Sequence, residues 1–341
     1  MNPLPEILRG LGLDSPWGYL GLFLAASLLM VWRMEGLLAH GLEGTALGTL
    51  VMPYCSGLGN LVLVALVAGR PDGGAQIVTN ALVNNVTNLT LLLGLPALLW
   101  GLPLGAAAGR GRAAKGGGAK GGAEPEMERQ LNRVSIVASL GAGLFFTGLL
   151  WVLGEDGRLD LRDGLVLTGA FLFWQALQVA DVLKSNVRRR RGFGPAFYLD
   201  LVVVGLGAAG VYTGLDWLVS WLGAQTGGGL LDARHLGWLS GWLLVLPNAL
   251  LAFYYAARGR GAIAYASQVG DGHICIPLGV GLAALVAPVT PPPFFGPALA
   301  VLAGAGVLHA GCVLLVGGLP RAIGWVLVAG YGAFLLAGWA N

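Results

Sequence analysis

The sequence predicts an all-α membrane protein of ten transmembrane helices, arranged as two inverted five-helix repeats. Three observations predict it: a composition too poor in charge for water, ten apolar stretches with an alternating pattern of flanking charge, and a segment that recurs 187 residues downstream.

The 341 residues are 56% hydrophobic and 11% charged, against about 25% charged in soluble domains. So little charge cannot cover a water-facing surface, which excludes a soluble fold, intrinsic disorder and a nucleic-acid binder. The mean hydropathy of +0.73 agrees. The 58 glycines suit close helix packing in lipid. Cys55, Cys275 and Cys312 lie in apolar runs and read as buried thiols, not a disulfide framework. The opening MNPLPEILRG lacks the basic-then-apolar pattern of a cleaved signal peptide.

About 20 apolar residues cross a bilayer. Spans are expected at 16–34, 44–69, 74–102, 131–153, 161–183, 196–222, 230–257, 262–288, 294–317 and 320–340. With the N-terminus outside, 15 of the 20 Lys and Arg residues fall in inside loops and 5 in outside loops. The positive-inside rule therefore supports ten spans in a plasma membrane with both termini extracytoplasmic. Residues 105–130 read as a flexible cytoplasmic linker within the first repeat (1–183). The basic loop 184–195, with Arg188 to Arg191, sets topology and separates it from the second repeat, 196–341.

TNALVNNVTNLTLLLGLPAL (79–98) recurs as ASQVGDGHICIPLGVGLAAL (266–285). Leu91/Leu278, Gly94/Gly281, Leu95/Leu282, Ala97/Ala284 and Leu98/Leu285 are identical. Upstream, LGNL (58–61) corresponds to LPNA (246–249) after a one-residue adjustment. Each copy falls on the second and third helices of a five-helix half. Five is odd, so the halves enter the membrane from opposite sides, an arrangement typical of secondary transporters with a midplane site.

Polar residues gather there. Asn80, Asn84 and Asn88 recur every four residues, on one helical face, with Asn85 one step round. Their repeat partners are Ser267, Asp271 and Cys275, with Gly272 opposite Asn85. Asn60 and Asn248 sit mid-span in the preceding helices. Gly270-Asp271-Gly272 followed by Pro277 predicts a locally broken helix with freed carbonyls. A lone Asn in a membrane helix is ordinary interhelical glue. This cluster, with the ionisable Asp271 deep in a span, reads instead as a functional site. His273 is a candidate site residue or proton exchanger, whereas His309 reads as a packing residue. Asp181 and Asp200 lie near arginines that offer structural pairing.

The segments CSGLGNL (55–61), LLVLPNA (243–249), TNALVNNVTN (79–88) and ASQVGDGHIC (266–275) resemble the paired repeats of the cation/calcium exchanger superfamily, sodium/calcium exchangers in particular. Each family repeat reads approximately G-T-S-x-P-E-L, then G-N-x-x-G-S-N-x-x-N or D. The resemblance puts Asn60 and Asn248 where the family has glutamates, and Asn84 and Asp271 where it has serine. It puts Asn88 and Cys275 at the final Asn or Asp, and Ser56 in place of a threonine.

The resemblance implies a cation antiporter working by alternating access, with sliding of the first and sixth helices, and not an enzyme. Its metal ligands would be Asn60, Asn84, Asn88, Asn248 and Asp271, supported by Ser56, Asn80, Asn85, Ser267, His273 and Cys275. No cofactor is expected. The partners are small inorganic cations (Na+, Ca2+ or both) and the lipid bilayer. Calcium takes about six to eight oxygens, usually with several carboxylates; one carboxylate among amides suits a monovalent ion, or a divalent ion bound weakly. The alternatives are proton-coupled exchange through Asp271 and His273, and a non-transporting membrane protein with a degenerate site.

Overall fold

The computed structural model describes residues 14–39, 52–104, 123–186, 194–225 and 231–339, with Gly10 and Gly12. Most of loop 105–130, basic residues 188–191 and both termini therefore lie outside the described residues. Ten helical rods are found among those described. The first half holds α1 (Pro16–Ala39), α2 (Met52–Val67), α3 (Gly73–Trp100), α4 (Ala123–Leu153) and α5 (Leu161–Asn186). The second holds α6 (Pro195–Gly223), α7 (Ala233–Ala257), α8 (Gly261–Val286), α9 (Phe295–Val316) and α10 (Arg321–Trp339). Eight of these have the length and apolarity to cross a membrane by themselves, and α2 adds a shorter apolar stretch. Residues 123–130, expected in the linker, are instead the first turns of α4.

α3 and α8 are the central pair. In each, 72% of the most apolar stretch is buried, against 17% in α5 and 22% in α6. The outer helices keep leucines such as Leu315 and Leu336 bare. In water such a surface would aggregate, whereas in lipid it is the solvated one.

The inverted repeat is visible in the packing. A Cβ on Gly324 of α10 would stand 2.7 Å from the Gly94 carbonyl oxygen and 2.7 Å from the Leu98 nitrogen of α3. A Cβ on Gly164 of α5 would stand 2.9 Å from the Gly281 carbonyl oxygen and 2.9 Å from the Leu285 nitrogen of α8. Gly94/Gly281 and Leu98/Leu285 are identical pairs of the sequence repeat, so their identity records one helix crossing built twice. A third seam joins α1 and α6. There Gly207, Gly210 and Gly214 lie against Met30, Ala26 and Phe23, a small-residue surface that lets the backbones approach.

The helix ends repeat the symmetry. Gly101 and Gly317 end α3 and α9 at φ 69° and 75°, a region closed to most side chains. They lead into β1 (Leu102–Pro103) and β2 (Gly318–Leu319), which pair antiparallel. Elsewhere Leu159 and Val289 exchange both backbone hydrogen bonds, at 2.8 and 2.9 Å. Val289 is the repeat partner of Leu102. Asp160 then caps α5, accepting from the backbone N–H groups of Arg162 and Asp163, which hold its carboxyl below the usual carboxylate range.

Both central helices widen at matching places, α3 over Thr87–Leu91 and α8 over Ile274–Val280. This corrects the expected break at Gly270-Asp271-Gly272, which stays α-helical as part of Gly261–His273. Pro277 removes one donor, and the wide π-helical turn absorbs that loss without unwinding the helix.

Gly324→Val is expected to destabilise the protein by about 1–3 kcal/mol by forcing the α3–α10 crossing apart, measured by thermal unfolding in detergent. Gly330→Ala on the same helix, where a Cβ meets nothing within 4 Å, should show no such loss.

Candidate ion-binding site

Four helices bring buried polar side chains together. α2 supplies Asn60, α3 supplies Asn84 and Asn88, α7 supplies Asn248, and α8 supplies Asp271 and Cys275. The Asn84 amide nitrogen donates to Asn60 Oδ1 at 3.3 Å. The Asn88 amide nitrogen donates to Asn84 Oδ1 and to Asp271 Oδ2, both at 2.9 Å. Cys275 Sγ lies 3.9 Å from Asn84 Oδ1. One chain of hydrogen bonds thus joins residues 183 positions apart across the meeting of the two halves.

The chain leaves acceptors over. Among the described residues, Asn88 Oδ1, Asn248 Oδ1, Gln268 Oε1 and Asp271 Oδ1 are buried without a hydrogen-bond partner, and all four residues are 0% exposed. A buried acceptor left unmade costs about 1–3 kcal/mol, more for a charged one. Asn88 Oδ1 and Asp271 Oδ1 belong to the chain itself and are free to ligand a cation, whereas Asn248 Oδ1 and Gln268 Oε1 belong to a separate α7–α8 pair. The α2 backbone comes close because residue 57 is glycine: a Cβ there would stand 3.2 Å from Asp271 Oδ1.

Of the five leading candidates, Asn60, Asn84, Asn88 and Asp271 share this chain. Asn248 stands apart from it: its main-chain carbonyl accepts from the Gln268 amide nitrogen at 3.0 Å, and that nitrogen also donates to Ser267 Oγ at 2.9 Å. Among the weaker candidates, Cys275 belongs to the cluster. Asn80 instead donates to Ser240 Oγ on α7 at 3.1 Å, and Asn85 donates back to the Ala81 carbonyl of its own helix. Ser267 donates to the Ala264 carbonyl. Ser56 falls in α2, but its side chain lies outside the described residues. His273 is a correction. Its Nε2 sits 2.8 Å from the Ser139 carbonyl oxygen of α4, and its ring packs on Phe146 and Trp174. Two residues along a helix is about 200° of rotation, so His273 cannot share the face of Asp271. His309 meets the Leu89 carbonyl oxygen at 2.7 Å, as a packing residue would, and Arg33 pairs with Asp200 at 3.2 Å. The side chain of Asp181 lies outside the described residues.

Gln268 adds a buried amide that the symmetry of the repeats conceals. Its repeat partner is Ala81, so aligning the copies hides it. Its spacing from Asp271, three residues on one face, was the available signal.

Ten helices in two inverted halves with a polar cluster between them is an arrangement typical of secondary transporters. Residues 17–180 match the sodium/calcium exchanger protein family. Two solved structures of the sodium–calcium exchanger NCX_Mj align closely. One, soaked with 2.5 mM Na+ and 10 mM Sr2+, is 17% identical with a TM-score of 0.67, covering 94% of this chain and 98% of that chain. The other, soaked with 10 mM Na+ and zero Ca2+, is 20% identical with a TM-score of 0.67 and the same coverage. No curated protein matches the chain by sequence. The family match covers just under half of the chain, and the fold is shared with NCX_Mj over 94% of it.

Asn88→Ala is expected to abolish stabilisation by Na+ or Ca2+ in thermal-shift measurements. Asn80→Ala should cost about 0.6 kcal/mol through its lost interhelical hydrogen bond and leave the ion-dependent shift in place.

Proposed function

We propose that the protein is a secondary active cation antiporter of sodium/calcium-exchanger type, taking one ion at a time between its halves by alternating access. The observation that carries this reading is the pair of buried oxygens Asp271 Oδ1 and Asn88 Oδ1, left without a donor among the described residues. Asn60, Asn84, Asn88, Asn248 and Gln268 would replace the ion's hydration shell, and Asp271 would supply the charge. Alternating occupancy by Na+ and Ca2+ would couple the two half-cycles. The membrane is the plasma membrane, with both termini extracytoplasmic, on the strength of the Lys and Arg distribution.

The glycine seam between α1 and α6 supports these two helices as the sliding element. Gly207, Gly210 and Gly214 present a surface without side chains, along which α1 meets few ridges. Gly210→Leu, whose Cβ would stand 2.8 Å from that of Ala26, should slow exchange while leaving ion-dependent thermal stabilisation intact.

Proton coupling remains a second reading through Asp271 alone, the one carboxylate in the cluster; His273, held on α4, takes no part. Reconstitution into proteoliposomes tests both. A sodium gradient should drive uptake of labelled calcium, and Asp271→Asn should abolish it. Flux unchanged by Asp271→Asn would overturn the site assignment. Flux driven by a pH gradient and indifferent to sodium would favour proton exchange.

A further inference from the structure

Cys275 follows Asp271 by four residues on α8, so thiol and carboxylate share a helix face. The thiol is free and buried. It stands 3.9 Å from Asn84 Oδ1, which also accepts from Asn88, the residue bonded to Asp271. Beside it, Asp271 Oδ1 and Asn88 Oδ1 are fully buried and unpartnered. A sulfur and two unclaimed oxygens therefore belong to one buried cluster where the halves meet.

Charge decides what such a set can hold. Asp271 alone balances one positive charge, and an uncompensated second charge in a water-free interior is costly. Resting on the reading of this cluster as an ion site, we propose that Cys275 is a metal ligand and that the site accepts thiophilic divalent cations, of which Cd2+ and Zn2+ are the type. On binding, the S–H bond breaks, a sulfur–metal bond forms and the proton leaves to water. Thiolate and carboxylate then offset both charges of the ion, and the amide oxygens of Asn84 and Asn88 complete its shell. Soft thiolate favours such ions over Ca2+ and Mg2+, which take oxygen ligands. A thiol at this position thus sets the kind of divalent ion the site prefers.

The test is Cd2+ titration of the full-length protein in detergent, followed by calorimetry and by the ultraviolet thiolate-to-cadmium charge-transfer band. Cys275→Ser should remove the band and weaken Cd2+ binding by about tenfold or more, with helicity unchanged by circular dichroism. A Cys55→Ser, Cys312→Ser double variant, with Cys275 as its sole thiol, should keep the band. Cys275→Asp, which retains two anionic ligands without sulfur, should bind Ca2+ more tightly and Cd2+ less tightly than the unaltered protein. A band that survives Cys275→Ser, or is missing from the sole-thiol protein, overturns the assignment. Sodium-driven calcium flux in a protein that shows no Cd2+ band would overturn the thiol ligand alone. A Cys275-dependent band in a protein that moves no cation would sustain the ligand and remove the antiporter.

Discussion

The Asn88 amide bonded at once to Asn84 and to Asp271 is the contact on which the arrangement of the molecule depends. Asp271 lies at membrane depth, where a carboxylate finds no water and must take its partners from protein. Those partners come from the other half of the chain. To bring them there, α3 and α8 must cross at the centre with their polar faces together, and the remaining helices must seal them from lipid. The deep burial of these two helices and the bare leucines of the outer ones are consequences of that placement.

The crossing is fixed by devices that appear twice. Glycine contacts lock α10 onto α3 and α5 onto α8 at equivalent residues. Paired backbone segments, Leu102 with Leu319 and Leu159 with Val289, tie equivalent loops together. The π-helical widening also begins at equivalent positions, Thr87 and Ile274, although only the second copy contains a proline in it. The distortion therefore belongs to the shared backbone geometry of the repeats, with Pro277 accommodated by it. Against this symmetric frame the polar residues are asymmetric. Asn60 bonds Asn84 through its side chain, whereas its counterpart Asn248 leaves both amide atoms unpartnered. The open side of the cluster is thus the α7–α8 side, where Gln268 also holds an unclaimed oxygen.

Much of this was legible beforehand. Apolar length and the alternation of basic residues predict ten spans because lipid imposes both rules on any chain that crosses it. The identical residues at 91–98 and 278–285 reveal the repeat because two equal crossings demand the same small and branched side chains. Asn84, Asn88 and Asp271 were readable because polar groups at membrane depth are costly without a purpose. His273 lies about 200° round the helix from Asp271 and so faces α4, and Gln268 has no polar counterpart in the first copy, where Ala81 stands, so the symmetry of the repeats conceals it.

By itself, then, the sequence determined the membrane, the number of spans, the inverted repeat and the polar positions able to meet, since each follows from local hydrophobicity or spacing. Only the tertiary structure decided which of those positions do meet: Asn80 and Asn85 turn to helix contacts, His273 faces α4, Cys275 joins the cluster, and Gln268 pairs with the Asn248 main chain. That outcome depends on how helices rotate and widen at a crossing, and such rotation is set by close backbone packing between segments far apart in the chain.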